Sequence, residues 1–120
     1  MALTDQCVSI HPYFTVKEGR MEAFKEWCGK LEEMCAKEEK CLYFGFSFDG
    51  DNALCREGYV GAEGVFEHLD NVGQYLDDVF SNVDVQRIEF HGPAAELEKL
   101  KETIESLGAT AYTMEYGFRR

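Results

Sequence analysis

The sequence predicts an α+β fold, a ferredoxin-like antiparallel sheet with helices on one face and a C-terminal helix-strand extension, in a single domain spanning residues 1–120. Runs rich in β-branched and aromatic residues alternate with segments whose apolar residues recur every three or four positions. Only Asp49-Gly50-Asp51-Asn52 separates the second and third of those runs, which makes them a hairpin. A chain of 120 residues that is 45% hydrophobic has the material for one core and shows no dividing linker.

Cys7 to Val16 reads as the first strand, and Pro12, which has no N–H to give to a ladder, predicts an edge position or a bulge there. Lys17-Glu18-Gly19 turns the chain. Met21, Phe24, Cys28, Leu31 and Cys35 then form the apolar stripe of an amphipathic helix, whose opposite face carries Glu22, Lys25, Glu26, Glu32 and Glu33. Cys41 to Phe48 and Ala53 to Val60 are the hairpin strands. A second helix begins near Ala62 with Val65, Leu69, Val72, Leu76 and Val79 on its stripe, Asn71-Val72-Gly73 offering a point for a break. Val83 to His91 is the fourth strand. Gly92-Pro93 ends it, and Pro93 suits the first turn of a third helix carrying Leu97, Leu100, Ile104 and Leu107, capped by Gly108. Alternation of Thr110, Tyr112, Met114, Tyr116 and Phe118 predicts a last strand from Thr110 to Phe118.

Both alternating sets on the strands are largely apolar: Val8, Ile10 and Phe14 against Cys7 and Tyr13, then Leu42, Phe44 and Phe46 against Tyr43 and Phe48. The sheet face without helices therefore needs cover, and a second copy of the chain is expected to supply it as a homodimer.

Twenty-three acidic against 12 basic residues leave a net charge of −11, which repels nucleic acid and anionic lipid headgroups. No apolar run approaches the roughly 18 residues of a membrane span, and no signal-peptide pattern opens the chain, so a cytoplasmic setting is expected. The five cysteines are odd in number, lack CxxC pairs and have no histidine at zinc-finger spacing, so they read as core thiols, with neither a metal nor an iron–sulfur cluster. Nucleophile-elbow, P-loop and dinucleotide-binding motifs are absent. His11 and His91 fall on strands that neighbour each other in a ferredoxin-like sheet, but Pro12 leaves their facing open and no metal is assigned to them.

Tyr13-Phe14-Thr15-Val16 running into Lys17-Glu18-Gly19, and the stretch from Arg56 to Leu69, resemble the antibiotic biosynthesis monooxygenase (ABM) superfamily of dimeric α+β barrels. Glu57, Tyr59, His68 and Leu69 match its pattern of a Glu-x-aromatic strand leading into a helix with His-Leu. The resemblance covers about residues 7 to 90. It implies a cofactor-independent monooxygenase acting on a small aromatic or quinol-type substrate; the alternative is a non-catalytic binding or stress-associated barrel whose pocket holds an apolar metabolite or is filled by aromatic side chains. The residues that mark the heme-degrading branch do not match: the first strand offers His11-Pro12, Trp27 lies on the first helix, and Asp77-Asp78 follow His68. No cofactor is expected.

Cofactor-independent oxygenation needs a base, donors for an oxyanion and a dry cavity. His68, Asn71 and Tyr75 stand at i, i+3 and i+7 and share one flank of the second helix. His68 is the candidate base, against the reading of a structural or exposed histidine, and Asn71 is a candidate oxyanion donor. Arg56 and Glu57, adjacent on a strand, face opposite sides of the sheet, and whichever points inward is a costly buried charge unless paired. Arg56 either steadies an anionic intermediate or makes a structural ion pair. His68, Asn71 and Arg56 are the catalytic candidates; Tyr75, Tyr59, His11 and Phe14 are the candidates for contacting substrate.

Overall fold

The structure, a computed structural model, describes residues 5–120. Its elements are β1 (Cys7–Val16), α1 (Met21–Cys35), β2 (Cys41–Asp49), β3 (Asn52–Val60), α2 (Gly61–Val72), a 3-10 turn (Gly73–Tyr75), α3 (Leu76–Phe80), β4 (Val83–Gly92), α4 (Ala94–Lys99), α5 (Lys101–Ser106) and β5 (Thr110–Thr113). The sheet order β2-β3-β1-β4-β5 is the ferredoxin-like arrangement with β5 added. Strands β2, β3, β1 and β4 pair antiparallel, and β5 joins β4 in parallel. The helices lie over one face, where Val8, Ile10, Phe14 and Val16 of β1 meet Ala53, Cys55, Glu57 and Tyr59 of β3.

Four expectations are corrected. Pro12 sits in β1, which is the central strand and not an edge; the ladder to β3 skips His11 and Pro12, so the missing N–H falls in a gap. The bulge comes between Tyr13 and Phe14, where β4 supplies the extra residue Gln86. Phe48, two residues beyond Phe46, lies with Phe44 and Phe46 under the helices and not with Tyr43, which faces the other way; a second bulge, at Leu42, sets Cys41 and Tyr43 on opposite faces. The second and third helices are each broken, at Gly73 and Leu100. The last strand stops at Thr113, because only Glu89 to Gly92 offer it partners; Tyr116 and Phe118 beyond it are 93% and 77% exposed.

The helix-free face is more polar than expected, because the alternating positions of β1 and β4 that point to it include polar and charged residues. It carries Ser9, His11, Tyr13, Tyr43, Arg56, Arg87, Glu89 and His91. Tyr43 lies across Gly58, where a Cβ would collide with its ring, and the Arg56 guanidinium sits 4.9 Å from that ring's centre. The Arg87 guanidinium is 3.7 Å from the Tyr13 ring centre.

Two glycines bring α2 onto the sheet. Gly61 turns β3 directly into the helix at φ 62°, a conformation that favours glycine. One turn on, a Cβ at Gly64 would lie 2.9 Å from Tyr59 Cβ, so only glycine permits this approach. His68, a turn beyond Gly64 on the same flank, is thereby lowered onto Tyr59 and Glu57.

Candidate active site

His68 is 6% exposed, and a carboxylate stands on each side of its ring. Nε2 lies 3.2 Å from Oε1 of Glu57, while Nδ1 lies 3.1 Å from Oε2 of Glu38, which follows α1 in the connection to β2. Both carboxylates have further support. The Tyr59 hydroxyl donates to Glu57 Oε1 at 2.6 Å, and Asn71 Nδ2 donates to Glu38 Oε2 at 2.8 Å and to the Met34 carbonyl at 3.2 Å. The rings of Tyr59 and His68 stack with centroids 4.8 Å apart. Burial opposes protonation of His68, but the two carboxylates outweigh it, Glu57 foremost, and hold the imidazole above its ordinary range. Burial, reinforced by the Glu57 charge, keeps the Tyr59 phenol protonated.

Glu57 and His68 form the polar end of a cavity of about 70 Å³ whose other walls include Ile10, Phe14, Phe44, Phe46, Leu69 and Leu76. Both close contacts of Glu57 are made by Oε1. The Cys55 thiol also lies beside this carboxylate, and among the described residues no sealed side-chain oxygen lacks a hydrogen-bond partner. The site therefore offers a hydrogen-bonded carboxylate, oriented from behind by an imidazole and a phenol, to an otherwise apolar chamber. Such a group accepts or returns a proton in surroundings that exclude water.

The thiols contribute no nucleophile. Burial pushes Cys28 up to about 12 and Cys41 up to about 11, and raises Cys7, Cys35 and Cys55 as well.

Of the seven sequence-derived site residues, His68 and Phe14 line the cavity, and Tyr59 reaches it through Glu57. The other four lie elsewhere. Asn71 spends its amide on Glu38 and Met34. Arg56 is on the opposite sheet face, because Glu57 is the member of that pair that points inward. His11 is also on that face, its ring centroid 4.3 Å from that of His91; Ser9 Oγ lies 2.8 Å from His11 Nε2, and burial followed by the His91 charge lowers the His11 pKa. Tyr75 packs on Trp27 at 5.8 Å from the 3-10 turn. The sequence signals one costly inward charge in the pair Arg56 and Glu57 without saying which, and Glu57 is not among its site candidates. Glu38 carries no such signal: it sits in the charged run Lys37-Glu38-Glu39-Lys40, which has the pattern of a solvated loop.

No protein-family model matches the chain, and no curated protein matches it in sequence. Solved structures do. MupZ from Pseudomonas fluorescens is 35% identical, with a TM-score of 0.94 over 100% of this chain and 94% of that one. A conserved protein of unknown function from Bacteroides thetaiotaomicron, described as a possible oxidoreductase, is 18% identical with a TM-score of 0.65 over 72% of this chain and 97% of its own. SnoaB, a cofactor-independent oxygenase from Streptomyces nogalater, solved as a mutant, is 10% identical with a TM-score of 0.63 over 72% of this chain and 90% of its own. Its 35% identity to MupZ along its whole length places the chain in one family with that protein, and the arrangement of sheet and helices is the antibiotic biosynthesis monooxygenase-like α+β fold.

Proposed function

We propose that this chain is an enzyme that moves a proton on a small, mainly apolar substrate, with Glu57 as the acid–base group and His68 and Tyr59 orienting it. One observation carries the reading: the only ionisable carboxyl that the described residues bring to the apolar cavity has an oxygen oriented by both a phenol and an imidazole. With His68 protonated, Glu38, His68 and Glu57 together hold one negative charge in excess. The cavity thus suits a neutral substrate that gives up a proton, and disfavours one that arrives as an anion.

The specific form suggested by the resemblance and the common fold is cofactor-independent oxygenation of an aromatic or quinol-type molecule. Glu57 takes a proton from the substrate, and the resulting anion passes electrons to dioxygen. One oxygen atom enters the product and the other leaves as water. Arg56 and Asn71 are not placed to steady the anion, so proton transfer without oxygen is the broader reaction class to be tested. One observation favours a non-catalytic binding pocket: about 70 Å³ is less than half the roughly 150 Å³ that accommodates benzene, so a ring enters only if aromatic side chains move aside.

Oxygen uptake over a panel of quinols and hydroxylated aromatics, repeated anaerobically, separates these readings. One dioxygen consumed per substrate supports the oxygenase; product formed equally without oxygen leaves proton transfer alone. Ligand binding by calorimetry with no turnover in either atmosphere contradicts the enzyme. We also propose that a second copy covers the helix-free face, where Tyr13 and Tyr43 lie among the charged groups; a monomer in sedimentation equilibrium would contradict it.

A further inference from the structure

We infer that Cys35, Glu38 and His68 form a binding site for a divalent transition metal, with donor chemistry that favours zinc. Cys35 Sγ lies 3.6 Å from His68 Nδ1, and the two Glu38 oxygens lie 3.1 and 3.3 Å from the same nitrogen. No two of the three donor atoms are more than 4.8 Å apart. A tetrahedral ion about 2.3 Å from a thiolate sulfur and about 2.0 to 2.2 Å from nitrogen and oxygen spans a sulfur–nitrogen edge of about 3.6 Å and a nitrogen–oxygen edge of about 3.3 Å. The side chains already stand at those two separations, and the third edge, sulfur to oxygen, is within 4.8 Å and closes to about 3.6 Å around such an ion.

The surroundings match what a metal site requires. Cys35 ends α1 and His68 lies on α2, so two of the three donors are fixed by helices that pack on the sheet. The far nitrogen of His68 meets Glu57, the carboxylate–imidazole–metal relay that fixes ring orientation, and Asn71 fixes Glu38 in the same way. A surface depression lined by Glu38, Glu39, Glu67, Asp70 and Asn71, with Lys37 as the one basic group among its described residues, opens beside the donors and draws cations toward them. Thiolate with imidazole and a carboxylate selects zinc or a similar ion over magnesium or calcium. The thiol is neutral in the metal-free protein, which is no obstacle, because a coordinating ion deprotonates it outright. The ion would occupy the Nδ1 side of His68, opposite Glu57, in place of the proton there, so the metal-bound and the protonated imidazole are alternative states, and the metal is tested by a readout that needs no turnover.

Cobalt(II) is the probe, titrated into the reduced, metal-stripped full chain and followed by absorbance. One ion per chain is expected, with a near-ultraviolet sulfur-to-cobalt charge-transfer band that zinc displaces. Cys35→Ser should abolish the band, Cys28→Ser on the same helix should keep it, and Glu38→Gln should weaken binding about tenfold or more. Circular dichroism checks that each variant is folded; should Cys35→Ser fail to fold, Glu38→Gln and the wild-type stoichiometry decide. No stoichiometric uptake by the wild type, a band that survives in folded Cys35→Ser, or unchanged affinity in Glu38→Gln would overturn the site.

Discussion

His68→Ala is expected to destabilise the fold by about 3 to 5 kcal/mol, and adding Glu57→Gln to it should recover part of the loss. The side chains of Glu57 and Glu38 are 8% and 6% exposed, and the imidazole between them is the nearest group that can carry a positive charge. Its removal leaves two buried carboxylates with one supporting donor each, Tyr59 for Glu57 and Asn71 for Glu38. It also enlarges the void beside the cavity, which adds a packing loss that no change at Glu57 can repair. Glutamine at position 57 keeps the shape and the Tyr59 contact but removes one of the stranded charges. The double variant should therefore be more stable than His68→Ala by roughly 0.5 to 3 kcal/mol, the range for directly interacting groups. Urea unfolding midpoints of the four members of the cycle measure it. Strictly additive losses would mean that Glu57 and His68 do not interact as an ion pair.

Much of this fold was legible because it rests on local rules. Spacing of three and four fixed α1 through Phe24, Cys28 and Leu31, and the Asp49 to Asn52 turn fixed the β2–β3 hairpin. What alternation could not show was the parity of individual strands. The bulges at Leu42 and Gln86 each reverse the facing of the residues on their two sides, and a bulge has no compositional mark that distinguishes it from one more strand residue. The site divides the same way. His68 stood out as a base on the flank of α2, whereas Arg56 and Glu57 stood out only as a pair, one of which must be a costly inward charge, and Arg56 was the catalytic candidate of the two. Glu38 reaches His68 across 30 positions of sequence, and its neighbours in the chain are ordinary surface charges. Asn71 has the spacing of a cavity residue on the flank of α2, yet its amide is drawn sideways to Glu38 and the end of α1, a contact that only tertiary packing creates.

The central claim is that the carboxylate of Glu57 handles the proton, and the most direct test compares turnover of one substrate by the wild type and by Glu57→Gln. Glutamine is nearly the same shape and can still meet the Tyr59 hydroxyl, so the cavity and its ligand affinity should persist. An amide at that position has no useful basicity. The expected result is a fall in kcat of about 10² to 10⁴-fold with KM little changed. Equal kcat in the two proteins would contradict the account.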